Sequence, residues 1–96
     1  MIIDQGEFEN TTEILDGNVY RKCRFERCRL VYRGGQLPEM ADCFFNECTW
    51  TFDDAADRTL IFLKNIFHGM GNGGKQIVQQ TFDNIRKPPG AVPPVN

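Results

Sequence analysis

The sequence predicts an α+β fold, with short stacked strands in its first half and a C-terminal helical hairpin. Three observations predict it: a ten-residue segment that recurs after 20 residues, charges sorted into blocks of alternating sign, and a change to helical spacing after residue 53. At 96 residues the chain is short for a domain. It can bury a modest core, so an open end is expected to seek an oligomeric partner. Apolar content of 41% and charged content of 25% are ordinary for a globular protein. A net charge of −2 gives no general attraction for nucleic acid or anionic membrane. No stretch approaches the roughly 18 apolar residues of a membrane span, and the start lacks the basic and apolar regions of a signal peptide. A cytoplasmic location with reduced cysteines is the expectation.

The recurring segment is Cys23-Arg-Phe25-Glu-Arg-Cys28-Arg-Leu30-Val-Tyr32 set against Cys43-Phe-Phe45-Asn-Glu-Cys48-Thr-Trp50-Thr-Phe52. Within each copy Cys recurs after five residues, and so does the large apolar residue two positions later. Tyr20, Phe25 and Leu30 keep that step, as do Phe45 and Trp50. A period of five is neither the 3.6 of a helix nor the alternation of a long strand. It suits short strands joined by tight corners, each sending two side chains inward. These residues resemble the pentapeptide-repeat proteins, which are right-handed parallel β-helices with a small residue two positions before a central Leu or Phe. The resemblance covers residues 18–32 and 41–52 and implies two to three coils of pentapeptide-like β-helix. The run LDGNVYRKCRFERCRLVYRGG is also similar to small bacterial proteins of an uncharacterised family, and brings no activity with it. Some pentapeptide-repeat proteins mimic DNA and occupy topoisomerases, but this chain is too short and too weakly acidic to inherit that role.

The charge blocks read as a register. Residues 1–20 hold five acids and no base, residues 21–33 hold six bases against Glu26, and residues 34–57 hold six acids and no base. An offset of 20 places Lys22 beside Asp42, Arg27 beside Glu47 and Arg33 beside Asp53. Carried downward, it places Arg24 beside Asp4, Arg27 beside Glu7, Arg29 beside Glu9 and Arg33 beside Glu13. It also sets Ile3 under Cys23 and Phe8 under Cys28. Parallel neighbours about 4.8 Å apart would then attract in columns. Gln5 breaks the scheme, because it falls in the column of Phe25 and Phe45, so the first coil (residues 2–17) reads as degenerate. A competing arrangement folds antiparallel hairpins around Asp16-Gly17 and Gly34-Gly35. It sets Val31 against Pro38, which cannot donate to a ladder, and leaves the charge blocks unexplained.

After the β portion (2–52), Asp53 or Asp54 caps a helix whose inner stripe is Leu60, Leu63, Ile66 and Phe67, ending at Gly69. A glycine-rich link follows. Ile77, Val78, Thr81, Phe82 and Ile85 then predict a helix from Lys75 to Arg86, completing a helical hairpin (54–86) that covers an end or flank of the strands. The expected organisation is one domain (1–87) and a Pro-rich flexible tail (88–96).

Candidate chemistry is sparse. The cysteines read C-x4-C twice, whereas zinc pairs usually stand two to four residues apart, so the thiols are expected in the core and no metal is assigned. The stretch Gly69 to Gln76 nearly spells a P-loop, but Gln76 replaces the required Ser or Thr and a helix precedes it. What remains is a candidate small-anion site made of His68, Gly71, Gly73, Gly74 and Lys75. No catalytic residues and no cofactor are assigned: the chain has no serine and a single histidine, and its thiols are expected to be buried. The basic band at 21–33 is neutralised by its acidic neighbours, which argues against nucleic acid. The expected function is a non-enzymatic binding or interaction protein that forms homodimers. The alternative is a binder of a small anionic ligand at the loop 69–75, with bacterial or phage defence as a context.

Overall fold

The computed structural model describes residues 1–88; of the tail expected at 88–96, all but Pro88 lies outside the described residues. The fold is α+β, with nine short strands in three parallel sheets followed by two helices. The strands are β1 (Ile2–Asp4), β2 (Glu7–Glu9), β3 (Thr12–Ile14), β4 (Val19–Arg21), β5 (Arg24–Glu26), β6 (Arg29–Tyr32), β7 (Glu39–Ala41), β8 (Phe44–Asn46) and β9 (Thr49–Phe52). Each sheet takes one strand from each of three successive segments, in the orders β1-β4-β7, β2-β5-β8 and β3-β6-β9. The chain thus makes three stacked tiers, an arrangement compatible with a β-helix-like fold. All pairs are parallel, so the hairpin alternative is not what forms.

Corners explain the step of five. The first two strands of each tier send their middle residue inward and are followed by a two-residue corner. The first corner residue is left-handed: Gln5, Asn10, Lys22, Arg27, Asp42 and Glu47 have φ between 51° and 59°. Side chains rarely adopt that conformation, and only a fold that over-determines it holds six non-glycine residues there. The second corner residue is small: Gly6, Thr11, Cys23, Cys28, Cys43 or Cys48. The buried Cys23 and Cys28 complete the inner wall of the middle tier.

The upper two tiers keep the expected offset, with Phe25 beside Phe45 and Leu30 beside Trp50. The lower two do not. Ile3 pairs with Tyr20 and Phe8 with Phe25, an offset of 17. The first tier is therefore regular, and Gln5 is a corner residue like Lys22 rather than a misfit in the Phe column. The columns inferred by subtracting 20 are wrong, as are the placements of Ile3 under Cys23 and Phe8 under Cys28. Two of the missing three residues belong to the side without strands, and the third is the extra residue of β6 over β3. Leu15–Asn18 closes the first tier there, and the longer Arg33–Pro38 closes the second.

That side has its own clamp. The Asp16 carboxylate accepts hydrogen bonds from the backbone N–H groups of Arg33 (2.8 Å) and Gly35 (2.7 Å). Partial burial raises its pKa, but the two backbone hydrogen bonds outweigh this and hold it below the ordinary 3.8. The Tyr32 hydroxyl donates to Gly35 O at 2.7 Å, and Gly17 N donates to Gln36 O at 2.8 Å. Gly34 has φ +87°, and a Cβ there would stand 2.6 Å from Ala56 N, so this turn requires glycine.

The core lies in the middle tier. Leu15, Tyr20, Cys23, Phe25, Cys28, Leu30 and Val31 are buried, with Ile3, Phe8, Cys43, Phe45 and Cys48 packed around the cluster. Phe8, Phe25 and Phe45 form a stack with ring centroids 4.9 and 5.1 Å apart and planes within 9° and 8°. Strand spacing sets that ladder. Tyr20 meets Phe25 edge-on at 5.3 Å, and its hydroxyl accepts from Asn18 Nδ2 at 3.1 Å. Burial, aided by Glu13, raises the Tyr20 pKa despite the Asn18 hydrogen bond. Glu13 stands in the inward column below Leu30, a charge on an open edge that discourages stacking there.

The chain divides into two units, Met1–Thr59 and Leu60–Asn96, the second described as far as residue 88, with the division inside the first helix. Helix α1 spans Asp54–Gly69 and α2 spans Gly71–Arg86, so Met70 alone separates them. The expected glycine-rich link is absent: Gly71, Gly73, Gly74 and Lys75 lie in the beginning of α2. Gly71, at φ +58°, allows the abrupt restart. Gly74 is the one buried residue of α2. A Cβ there would lie 2.0 Å from the Ile66 carbonyl oxygen, so α1 backbone occupies the place of a side chain. No helix among the described residues is long and apolar enough to cross a membrane.

Candidate functional site

The ion pairs follow the corrected register only in part. Arg27 reaches back to Glu9, and its Nε donates to Asn10 Oδ1 at 3.1 Å. Arg24 turns to Glu26 on its own strand (2.8 Å), and Arg33 meets Asp54 (2.8 Å) rather than Asp53. Lys22 and Asp42 share a corner column, as do Arg27 and Glu47, yet neither couple makes a direct ion pair. Exposed pairs contribute about 0–1 kcal/mol each, so little stability depends on their closure.

The cysteines occupy two inward columns, Cys23 beside Cys43 and Cys28 beside Cys48. Their thiols donate to backbone carbonyls: Cys23 to Ile3 O (3.4 Å), Cys28 to Glu26 O (3.3 Å), Cys43 to Tyr20 O (3.5 Å) and Cys48 to Phe25 O (3.4 Å). Thr11 Oγ1 lies 3.6 Å from Cys28 Sγ, which makes it the first-tier member of that column. These contacts account for the thiols as small wall residues between tiers. Among the described residues no group of three or more His, Cys, Asp or Glu converges as metal ligands would.

At the helix junction the candidate anion residues are dispersed over two helices. His68 is exposed in the last turn of α1, edge-on to Phe67 at 5.1 Å. Lys75 is exposed, and its ammonium lies 5.7 Å from the centre of the Phe67 ring. A shallow hollow of about 380 Å³ is lined by Phe67, Asn72, Lys75, Gln76 and Gln79. His68, Gly71, Gly73 and Gly74 are not part of its lining. Gly71 and Gly73 are exposed at the helix start, which has no side-chain cap. Gly74 donates its N–H to Met70 O at 3.2 Å and faces Ile66. Lys75 is thus the one predicted residue that meets the hollow.

Two apolar surfaces lie on the open strand end and on the helices, the two places the sequence offers for pairing with another copy. The third tier leaves Met40, Phe44, Trp50 and Phe52 exposed beside Leu37. Leu37, Met40, Trp50 and Phe52 line a hollow of about 270 Å³ that reaches down to Leu30 and Leu15. In the second unit, Leu63, Ile66, Val78 and Thr81 are half-buried, while Leu60, Ile61, Phe62, Phe67, Ile77, Phe82 and Ile85 are exposed. The signal for the first surface was that the Phe45 and Trp50 columns have no fourth copy. No protein-family model, curated protein or solved structure matches the chain.

Proposed function

We propose that this chain is a non-enzymatic interaction protein that self-associates through its helical unit, carried on a short pentapeptide-like parallel β-helix. The observation behind self-association is the apolar surface left over on α1 and α2. Phe62 is 63% exposed and Ile85 69%, with Leu60, Ile77 and Phe82 also open. Covering one such side chain contributes about 1.5–3 kcal/mol, so a few meeting across a two-fold axis suffice for a dimer. The β-helix reading is supported by the five-residue step, the two-residue corners and the parallel sheet orders. The non-enzymatic reading is supported by cysteines engaged with backbone carbonyls and by the exposure of the single histidine. Light scattering at micromolar concentration is expected to give twice the chain mass. The double variant Phe62→Asp and Phe82→Asp is expected to be monomeric with unchanged circular dichroism. A monomeric parent chain would overturn the reading.

The uncapped start of α2 beside Lys75 favours a second reading, capture of a small anion. Titration with inorganic phosphate would then shift the amides of Gly71, Asn72 and Gly73, and Lys75→Gln would remove the shift. No shift in the parent chain would exclude it.

A further inference from the structure

The third tier is an unfinished stack with a defined chemistry. One tier lower, the left-handed corners Lys22 and Arg27 donate their backbone N–H groups upward to Ala41 O (2.9 Å) and Asn46 O (2.8 Å). The Cys23 and Cys28 carbonyls accept from Phe44 N and Thr49 N, both at 2.9 Å. In the third tier the same groups are the N–H of Asp42 and Glu47 and the carbonyls of Cys43 and Cys48. None of these four has a backbone partner among the described residues. The edge is therefore a template for one more parallel segment, and its centre is apolar, with Trp50 50% and Met40 38% exposed.

Charge says what fits. The corner column reads Gln5, Lys22, Asp42, and the next reads Asn10, Arg27, Glu47. Glu39 adds a third acid to the edge, and residues 34–57 contain no base. Stacking two third-tier ends on each other would bring these acids together. Stacking a third-tier end on the first-tier end of another copy, in the same register, would set Asp42 and Glu47 beside the neutral Gln5 and Asn10 and the Glu13 carboxylate over Trp50. The first arrangement opposes like charges, and the second gives the corner acids no cation and lays a carboxylate on the apolar centre.

We infer that the third-tier edge docks a basic extended segment of a partner protein, which adds as a fourth tier. Strand addition of this kind gives backbone hydrogen bonds along the edge and pockets for alternate side chains. The register specifies the segment: two cations five residues apart, over Asp42 and Glu47, each preceded two positions earlier by a large apolar residue. Tyr20-x-Lys22 and Phe25-x-Arg27 hold those places in the second tier. The hollow beside Leu37 and Trp50 offers an apolar anchor a seat. This docking edge is separate from the helical surface proposed for self-association.

The test uses the full chain and a synthetic peptide with the sequence of Asn18–Val31, carrying Cys23→Ser and Cys28→Ser. Its control carries Lys22→Glu and Arg27→Glu as well. Binding of the first peptide, followed by amide shifts, is expected to move the Asp42 and Glu47 resonances. It should weaken at least tenfold for the acidic control, and equally for a chain carrying Asp42→Lys and Glu47→Lys. The Phe62→Asp, Phe82→Asp chain should bind the basic peptide as the parent does, which separates this result from the fate of the dimer. Absence of shifts at millimolar peptide would overturn the inference, and so would equal binding of the acidic control. A dimer of the parent chain that dissolves on Asp42→Lys and Glu47→Lys would overturn it too, because the edge would then belong to a second copy.

Discussion

The two units of this chain reach order by different means. In Met1–Thr59 the middle tier is buried by the tiers above and below, and Phe25 is fully enclosed between Phe8 and Phe45. Among the described residues of the second unit Gly74 is the one buried residue, and most large apolar side chains are exposed. One unit therefore carries a core of its own. The other leaves most of its large apolar side chains exposed. Stacked repeats bury their faces against neighbours and leave only the end tiers incomplete, whereas a pair of helices offers each only one face to bury against the other.

Substitutions at Phe25 and Phe82 break that contrast most sharply. Phe25→Ala should cost about 3–5 kcal/mol, enough to unfold much of the β unit in urea titration followed by tryptophan fluorescence. Phe82→Ala should change the folding midpoint of that unit little and act on chain mass instead. If both variants lost the same folding free energy, the distinction between the units would fail.

The glycines sharpen the comparison within the helical unit. Gly74→Ala forces a methyl group into the Ile66 carbonyl, which must move, so the helical signal and thermal midpoint should fall by about 1–3 kcal/mol equivalent. Gly73→Ala meets open space and should stabilise α2 by about 0.5–1 kcal/mol. The opposite signs of adjacent substitutions, read by circular dichroism melting, would fix the position of the crossing.

Asp16 provides a pH-dependent test of the strandless side. Its folded pKa is depressed, so the charged form stabilises the fold above the ordinary value of 3.8, and this contribution is lost as pH falls through the lowered value. Asp16→Asn should destabilise by about 1 kcal/mol at neutral pH and reduce the acid dependence of the melting midpoint. The smallest effect belongs to the surface pairs. Arg24→Gln, which removes the contact with Glu26, should change stability by about 0–1 kcal/mol, most clearly at low salt.

The sequence by itself determined the upper two tiers, because their offset is written twice, in Cys23/Cys43 with Cys28/Cys48 and in Phe25/Phe45. It also determined the first helix and the body of the second from Lys75 onward, since apolar residues at helical spacing announce them and Gly69 closes the first. It misread the first tier because the strandless side varies in length. Three residues fewer between Glu13 and Tyr20 than between Leu30 and Met40 shift every column, and no local signal in Leu15–Asn18 reveals it. Opposite charges reinforced the error, since acids are dense enough in residues 1–20 to meet the arginines at many offsets. Only the tertiary structure decided which pairs touch, because long exposed side chains choose among near-equal partners such as Glu26, Glu9 and Asp54. It also turned the suspected glycine loop into the start of α2. Isolated propensity disfavours glycine in a helix, but contact with the Ile66 backbone leaves Gly74 no room for a side chain.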